Sequence, residues 1–150
     1  MSKQEDANLI LKLYDLRREA TMRDARNWFF TFSPTTTQDF TDVLMGDKSA
    51  FYRMVVSYWE MAAALVNNGA IDEQMFNEAN GEHVFVFSKV QPFLTELRAA
   101  YNLPEYLLQF EKLVTRIPNI DKRLADLRER MKQLAALREE KAKAQAAAGA

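Results

Sequence analysis

Cysteine is absent from the 150-residue sequence, and glycine and proline each occur only four times. Without cysteine the chain has no disulfides, thiolate nucleophiles or zinc–thiolate sites, and this composition fits a reducing compartment. So few glycines and prolines argue against a β-rich fold, which needs many tight turns. The formal net charge of −1 gives no overall attraction to nucleic acid or to an anionic membrane.

Long apolar runs are also missing. No window approaches the ~18 apolar residues of a membrane span. The N-terminal segment reads MSKQEDANLILKLYDLRRE, in which charged residues interrupt every apolar run, unlike a secretion signal. We therefore expect a cytoplasmic protein with no transmembrane segment. No GxSxG, GxGxxG or P-loop motif is present either, so we expect neither an enzyme nor a cofactor.

Helical periodicity is the main positive signal, and it is strongest in the segment Phe51–Gly69. Its apolar residues recur three and four positions apart: Phe51, Met54, Val55, Tyr58, Trp59, Ala62 and Val66. With further apolar neighbours this face covers roughly 220° of the helix, whereas a surface helix needs only about 100°. We predict a central helix whose N-terminus is capped by Asp47 or Ser49 and which stops at Asn68-Gly69, where glycine takes the left-handed conformation.

The rest of the pattern predicts an all-α fold: an irregular bundle of about five main helices with a long, partly protruding C-terminal helix. The other predicted helices are Gln4–Phe32, Gln38–Met45, a short helix capped by Asp72, Glu82–Tyr101 with a kink at Pro92, Pro104–Arg116, and a last helix from about Asn119. We divide the chain into a bundle domain at 1–117 and an amphipathic helix at 118–150, whose Ala-rich end is expected to fray. The mixed charges of the first helix, Arg17 and Arg26 among them, predict a solvated face.

The last helix carries a short heptad-like seam. The candidate interaction seam is Ile120, Leu124, Leu127, Met131 and Leu134, spaced three and four residues apart, and Arg138 and Lys141 interrupt it. It is shorter than the three to four heptads that a coiled coil requires. In a parallel dimer Arg123 would face Arg128 of the other copy, and the repulsion between these like charges argues against a parallel homodimeric coiled coil. The pattern leaves two interpretations open: the seam packs on its own or a neighbouring subunit's domain, or it binds a protein partner.

A second candidate site is an apolar ligand pocket that includes Trp59 and Phe93, although a filled core explains these residues equally well. Residues 121–143 hold eight basic and five acidic side chains. They lack interleaved aromatics and any recognised motif, so we expect no nucleic-acid partner.

Two polar residues of the predicted helices need separate treatment. His83 is the only histidine, and its neighbour Glu82 points about 100° away on a helix. We therefore expect no metal site and an exposed His83 beside a helix start. Glu60 lies on the narrow polar stripe of the central helix, and we expect it to be solvated or paired with Arg98.

One block of sequence resembles a known group of proteins. The matching residues are Tyr58-Trp59-Glu60-Met61-Ala62, Asn68-Gly69, Ile71-Asp72-Glu73, Phe76, Pro92-Phe93 and Glu96-Leu97-Arg98. Together they resemble a bacterial family of uncharacterised helical domains over about Phe51–Arg98. The resemblance implies a helical fold and no known activity. Many members look tethered by an N-terminal membrane helix, for which this sequence shows no apolar run.

These observations together favour a non-enzymatic protein-interaction or self-association module. The expected partner is a protein, with another copy of the chain as one option. The alternative is a helical sensor that binds a small apolar ligand near Trp59 and Phe93.

Overall fold

A computed structural model of the chain describes residues 2–149. Within that range it contains nine α-helices and one 3-10 turn, and no strand: α1 (Lys3–Arg17), α2 (Ala20–Thr31), α3 (Thr37–Leu44), α4 (Ser49–Asn67), α5 (Glu73–Ala79), α6 (Glu82–Val90), the 3-10 turn (Gln91–Phe93), α7 (Leu94–Ala100), α8 (Leu108–Thr115) and α9 (Ile120–Ala148). Helix α6, the 3-10 turn and α7 follow one another without a gap and count as one continuous run. The described residues therefore form eight continuous helical runs. The all-α prediction is confirmed, but about five main helices was too few.

The central-helix prediction is confirmed by α4, except for its cap: Lys48 precedes the helix, and no side-chain hydrogen bond caps it, so the predicted cap at Asp47 or Ser49 is wrong. Eight of its residues are buried: Tyr52, Val55, Val56, Tyr58, Trp59, Ala62, Ala63 and Val66. Neighbours cover it on several sides, since α4 contacts α2, α3, α5 and α8. Gly69 has φ 80°, so glycine takes the left-handed position where the helix stops, as predicted. The core of the domain is therefore built around α4.

The predicted first helix is wrong at its middle, because the chain breaks between α1 and α2. The Glu19 carboxylate accepts hydrogen bonds from the backbone N–H groups of Thr21 (3.0 Å) and Met22 (2.9 Å). These bonds satisfy the first donors of α2 and start a new helix there. The usual capping residues are Ser, Thr, Asp and Asn, and a glutamate does not stand out as a cap in the sequence.

The helix around Pro92 follows the prediction more closely. The segment HVFVF is helical, and the chain tightens into the 3-10 turn at Gln91–Phe93 before α7 begins. Pro92 lacks the N–H that an α-helix would use, which accounts for the local change. The next helix is shorter than predicted: α8 starts only after Leu107, which has φ 55°.

Helix α9 is 29 residues long, about 43 Å at 1.5 Å per residue. Its first turns pack on α6, with Ile120 and Leu124 buried. Farther along, Arg128 donates from Nε to the Ser88 carbonyl (2.9 Å) and from Nη2 to Gln91 Oε1 (2.6 Å). From Ala135 to Gly149 the side chains are exposed. The start of α9 thus belongs to the domain, and its second half protrudes; fraying of the Ala-rich end stays a prediction.

The length and hydropathy of a helix decide whether it can cross a membrane. Of the helices between residues 2 and 149, none combines the length and the hydropathy needed to cross a membrane.

Candidate functional site

A partly buried cluster of charges joins three helices. The Glu82 carboxylate of α6 accepts from Arg17 Nη1 of α1 (3.1 Å) and from Arg26 Nε of α2 (3.0 Å). Arg26 Nη1 also donates to the Arg17 carbonyl at 3.2 Å. Arg17 is only 9% exposed, whereas Leu16 is 54% exposed. The predicted solvated face of the first helix is therefore wrong at Arg17, which turns inward and is paired there.

Behind this cluster lie Trp59 and His83, each 1% exposed. The Arg17 guanidinium sits 5.4 Å from the centre of the Trp59 ring, and the two rings of Trp59 and His83 are 5.6 Å apart. His83 Nε2 lies 2.9 Å from Asn77 Oδ1, which can only accept, so the ring donates from Nε2. The prediction of an exposed His83 is wrong. A periodic signal was available, because His83, Val86, Phe87 and Val90 share one face of α6.

Burial, and secondarily the positive charges of Arg123 and Arg17, lower the pKa of His83 to about 4. The ring is therefore neutral at pH 7. The Glu82 carboxylate is tied to two guanidinium groups and is not available as a base. Between residues 2 and 149 no group of three histidine or acidic side chains is arranged to hold a metal ion. The cluster ties α1, α2 and α6 together, and its arrangement favours a structural role.

Glu60 has a different task from the one predicted. Its carboxylate accepts from the backbone N–H groups of Phe110 (2.6 Å) and Gln109 (3.4 Å), in the first turn of α8. Arg98 pairs instead with Glu111 at 3.1 Å. Burial raises the pKa of Glu60, and the two backbone hydrogen bonds oppose that rise. Since Leu107 precedes α8 and has no side-chain acceptor, Glu60 caps this helix from α4.

We expect Glu60→Ala to lower the free energy of unfolding by about 1–2 kcal/mol, because the first N–H groups of α8 lose their acceptor. Urea unfolding followed by circular dichroism measures the loss. Glu105→Ala is the matched control, since the exposed Glu105 carboxylate lines the same surface concavity as Glu60. Equal stabilities of the two variants would contradict the capping role.

An open groove lies between the first half of α9, the 33–35 loop and the 3-10 turn. We call it the basic groove; its volume is about 370 Å³, and it is lined by Ser33, Pro34, Thr35, Ser88, Lys89, Pro92, Phe93, Arg128, Met131, Lys132 and Ala135. Two prolines, Phe93, Met131 and Ala135 make much of this lining apolar. Every charged residue in the lining is basic.

The cations of the basic groove are held without a carboxylate. Lys89 Nζ donates to the backbone carbonyls of Phe29 (2.8 Å) and Phe30 (2.9 Å) at the end of α2. Burial, and then the charge of Arg138, lower the pKa of Lys89 to about 8. Arg128 donates to Ser88 and Gln91 as described above. None of Lys89, Arg128 and Lys132 forms an ion pair with an acidic side chain in the described part of the chain. Lys89 and Arg128 are held instead by neutral oxygen acceptors: Lys89 Nζ also donates to the Phe32 carbonyl, so all three of its N–H groups are used. Lys132 is exposed.

The residues of the predicted interaction seam divide into two groups along α9. Ile120 (8% exposed) and Leu124 (1%) belong to the core, while Leu127, Met131 and Leu134 are half-buried, and Met131 lines the basic groove. The first part of the seam thus packs on the chain's own domain, whereas the second part remains accessible to solvent or to a partner.

The two residues of the predicted ligand pocket lie in different surroundings. Trp59 packs in the core against Tyr58, Phe76 and His83. Phe93 is half-buried, packs against Phe40 and lines the basic groove. The groove itself was missed by the sequence analysis, since its walls come from segments far apart in the chain.

Comparison with known proteins places the chain in a family. Neither the curated proteins nor the solved structures gave a match. The profile of one domain family, described as "Domain of unknown function (DUF4760)", matches residues 3–117. The match is wider than the block Phe51–Arg98 on which the sequence resemblance rests, and it takes in α1 to α8 and stops before α9. The chain belongs to the DUF4760 family, whose function is unknown.

Proposed function

We propose that this protein is a non-enzymatic self-association module, and that the basic groove with the adjoining face of α9 forms its contact surface. The observation that carries the proposal is the groove: an accessible, largely apolar surface whose charged residues are all basic. Apolar contact area with a polar or charged rim is the common composition of protein interfaces.

The position of α9 also supports this proposal. Leu127, Met131 and Leu134 stay half-exposed although they continue the apolar seam, and Leu137 is 59% exposed. Leaving such side chains in contact with water forgoes about 25 cal/mol for each Å² of apolar area, which a partner would recover by covering them. Enzymatic function has less support, because the buried charges are committed to one another and to helix ends.

The experiment is light scattering after size exclusion, over a range of concentrations. We expect the full chain to gain mass with concentration. Ala135→Glu places a carboxylate on the groove floor and should weaken association by roughly tenfold or more, about 1.4 kcal/mol. Ala136→Glu is the matched control: it is also exposed on α9, adds the same charge, and does not line the groove.

These variants separate association from folding better than deletion of the last helix. Ending the chain at Arg116 would also remove Ile120 and Leu124, which are buried in the core. Circular dichroism checks that both glutamate variants keep the wild-type helicity and melting temperature. A monomer mass at every concentration, or equal weakening by the two variants, would overturn the proposed contact surface.

A further inference from the structure

We propose that the basic groove binds a segment of a second copy of this chain, with Met45 inserted between α9 and the 3-10 turn. The segment is residues 42–47, which comprise the end of α3 and the start of the turn that leads to α4; we call it the α3–α4 turn. This inference rests on the proposed self-association and adds the identity of the docking segment. It commits to a reciprocal contact, in which each copy supplies both a groove and a turn.

The turn presents an unusual combination of exposed side chains. Met45 is 85% exposed, the highest value among the large apolar side chains of residues 2–149. Two exposed carboxylates, Asp42 and Asp47, flank it. Within the described residues neither of them forms an ion pair, and Asp42 accepts only a hydrogen bond from Gln38 Nε2 at 2.9 Å. The turn thus carries an exposed methionine between two carboxylates, and Lys48, beside Asp47, directs its ammonium over the Phe51 ring at 5.1 Å.

The groove has the complementary properties. Its lining combines apolar residues with three cations and no carboxylate. Lys89 and Arg128 contribute positive charge while donating to oxygens of their own chain, and the exposed Lys132 is the cation best placed to pair with a partner's carboxylate. Asp39, four residues after Thr35, is engaged by the backbone N–H groups of Thr35 (2.7 Å) and Thr36 (3.0 Å). Glu129 follows Arg128 on α9 and is exposed, but it does not line the groove. Complementary charges favour the correct partner and its orientation, and the flexible thioether of a methionine adapts to an irregular apolar surface.

The other surface concavities of residues 2–149 are less suited to an acidic segment. The concavity on α1 includes Glu5 and Asp15, and the one beside Pro118 includes Glu73 and Glu78. The concavity next to α8 includes Glu60 and Glu105. All three place carboxylates near Asp42 and Asp47, although each also has basic residues in its lining: Lys12 and Arg18, Arg116, and Arg53. Of these four concavities, the basic groove alone has a lining without a carboxylate.

The arrangement of groove and turn permits a closed dimer. Helix α3 begins at Thr37, next to the groove residue Thr35, and ends at Leu44, next to Met45. Eight helical residues span about 12 Å. Groove and turn therefore lie at the two ends of one short helix, too far apart to meet within a chain. In the proposed reciprocal contact the two copies are related by a two-fold axis near the middle of α3, the symmetry that a closed dimer requires.

Cross-linking tests the contact directly, because the wild-type chain has no cysteine. A mixture of the single variants Met45→Cys and Ala135→Cys should form a covalent heterodimer under mild oxidation. Met45→Cys mixed with Ala136→Cys is the control for the groove side. Met61→Cys mixed with Ala135→Cys is the control for the turn, since Met61 is also exposed (44%) but lies on α4. Both controls should give at least roughly tenfold less heterodimer, because a disulfide needs Cα atoms within about 7 Å.

Charge variants test the same contact in solution. Met45→Lys and Lys132→Glu should each raise the dissociation constant by roughly tenfold. Combining Lys132→Glu with a single reversal, Asp42→Lys or Asp47→Lys, should restore part of the lost association for the aspartate that faces Lys132, because one ion pair re-forms with reversed sign. Met61→Lys, the matched control for Met45→Lys, should leave the dissociation constant unchanged.

The outcomes distinguish this inference from the proposal beneath it. If Ala135→Glu weakens association but Met45→Lys does not, and no specific heterodimer forms, the groove is a contact surface with another occupant and this inference is overturned. If the wild-type chain stays monomeric at every concentration, self-association and this inference both fall. Selective cross-linking together with partly restored association by a reversed charge pair supports both.

Discussion

Replacing Trp59 by alanine is expected to lower the free energy of unfolding by about 3–5 kcal/mol, as truncation of a buried aromatic side chain does. The side chain is 1% exposed and contacts residues of several helices, with the Tyr58 ring at 4.8 Å, the Phe76 ring at 6.5 Å and the Arg17 guanidinium at 5.4 Å. Its removal leaves a cavity beside a buried cation, which also loses its contact with the aromatic face.

Urea unfolding followed by circular dichroism measures this effect, with the denaturant slope checked for two-state behaviour. Trp28→Ala is the matched control. Trp28 is half-buried and stacks on Phe32 at 5.2 Å, so its loss should cost clearly less. A destabilisation by Trp59→Ala below about 1 kcal/mol would contradict the central place of α4 in the core.

The periodicity of apolar residues was enough to predict the helical architecture. The stripe on Phe51–Gly69 predicts α4 because burial on several sides leaves a wide apolar face, and the stop at Gly69 has a specific backbone requirement. Asp72 was likewise recognised as a cap, and its carboxylate accepts from the Met75 N–H at 2.8 Å. Features decided within one helix or one turn were therefore predictable.

The errors arise where a distant residue decides the local structure. Arg17 turns inward because Glu82, far along the chain, pairs with it. The start of α8 is capped by Glu60 of α4, which no local motif announces. His83 is a different case, because it shares an apolar face of α6 that is visible in the sequence; its place beside a helix start led to the wrong expectation that it is exposed. Pairing that depends on tertiary contact does not leave a local periodic signal.

The candidate site was predictable only in part for the same reason. Met131 was identified from the seam of α9 and Phe93 from its aromatic character, and both line the basic groove. The 33–35 loop and the 3-10 turn contribute the remaining walls, and their proximity to α9 follows only from the packed structure. The position of Lys89 depends on the same packing, since its ammonium donates to the backbone carbonyls of Phe29, Phe30 and Phe32 at the end of α2.

The residues of the proposed contact surface lie on both sides of the end of the family match. The match ends at residue 117, and α9 begins at Ile120. Met45 and Phe93 lie inside the matched region, whereas Met131, Lys132 and Ala135 lie beyond it. The proposed contact surface therefore combines the family domain with the helix that follows it. Variants on either side of that boundary should weaken association if the groove is the contact surface and the turn its occupant.

Acidification is the second large perturbation, and it acts through His83. The pKa of this buried ring is about 4, against 6.5 for an exposed histidine. Between these values the unfolded chain binds a proton that the folded chain does not, so stability falls as the pH drops from 6.5 to 4 and is constant in this respect outside that range. At ~1.4 kcal/mol per pH unit, the expected loss is about 3 kcal/mol.

The matched variant for this prediction is His83→Gln, which is neutral at every pH in the range. Urea unfolding at several pH values should give a wild-type stability that falls by about 3 kcal/mol more than that of the variant. Backbone hydrogen bonds lower the pKa of the Glu19 and Asp39 carboxylates, so protonating them at low pH also lowers the stability of the protein. This contribution is the same in both proteins and cancels in the comparison. NMR of the single histidine gives its pKa independently. Parallel pH profiles for the two proteins would show that His83 titrates as an exposed residue and that its buried, neutral state is wrong.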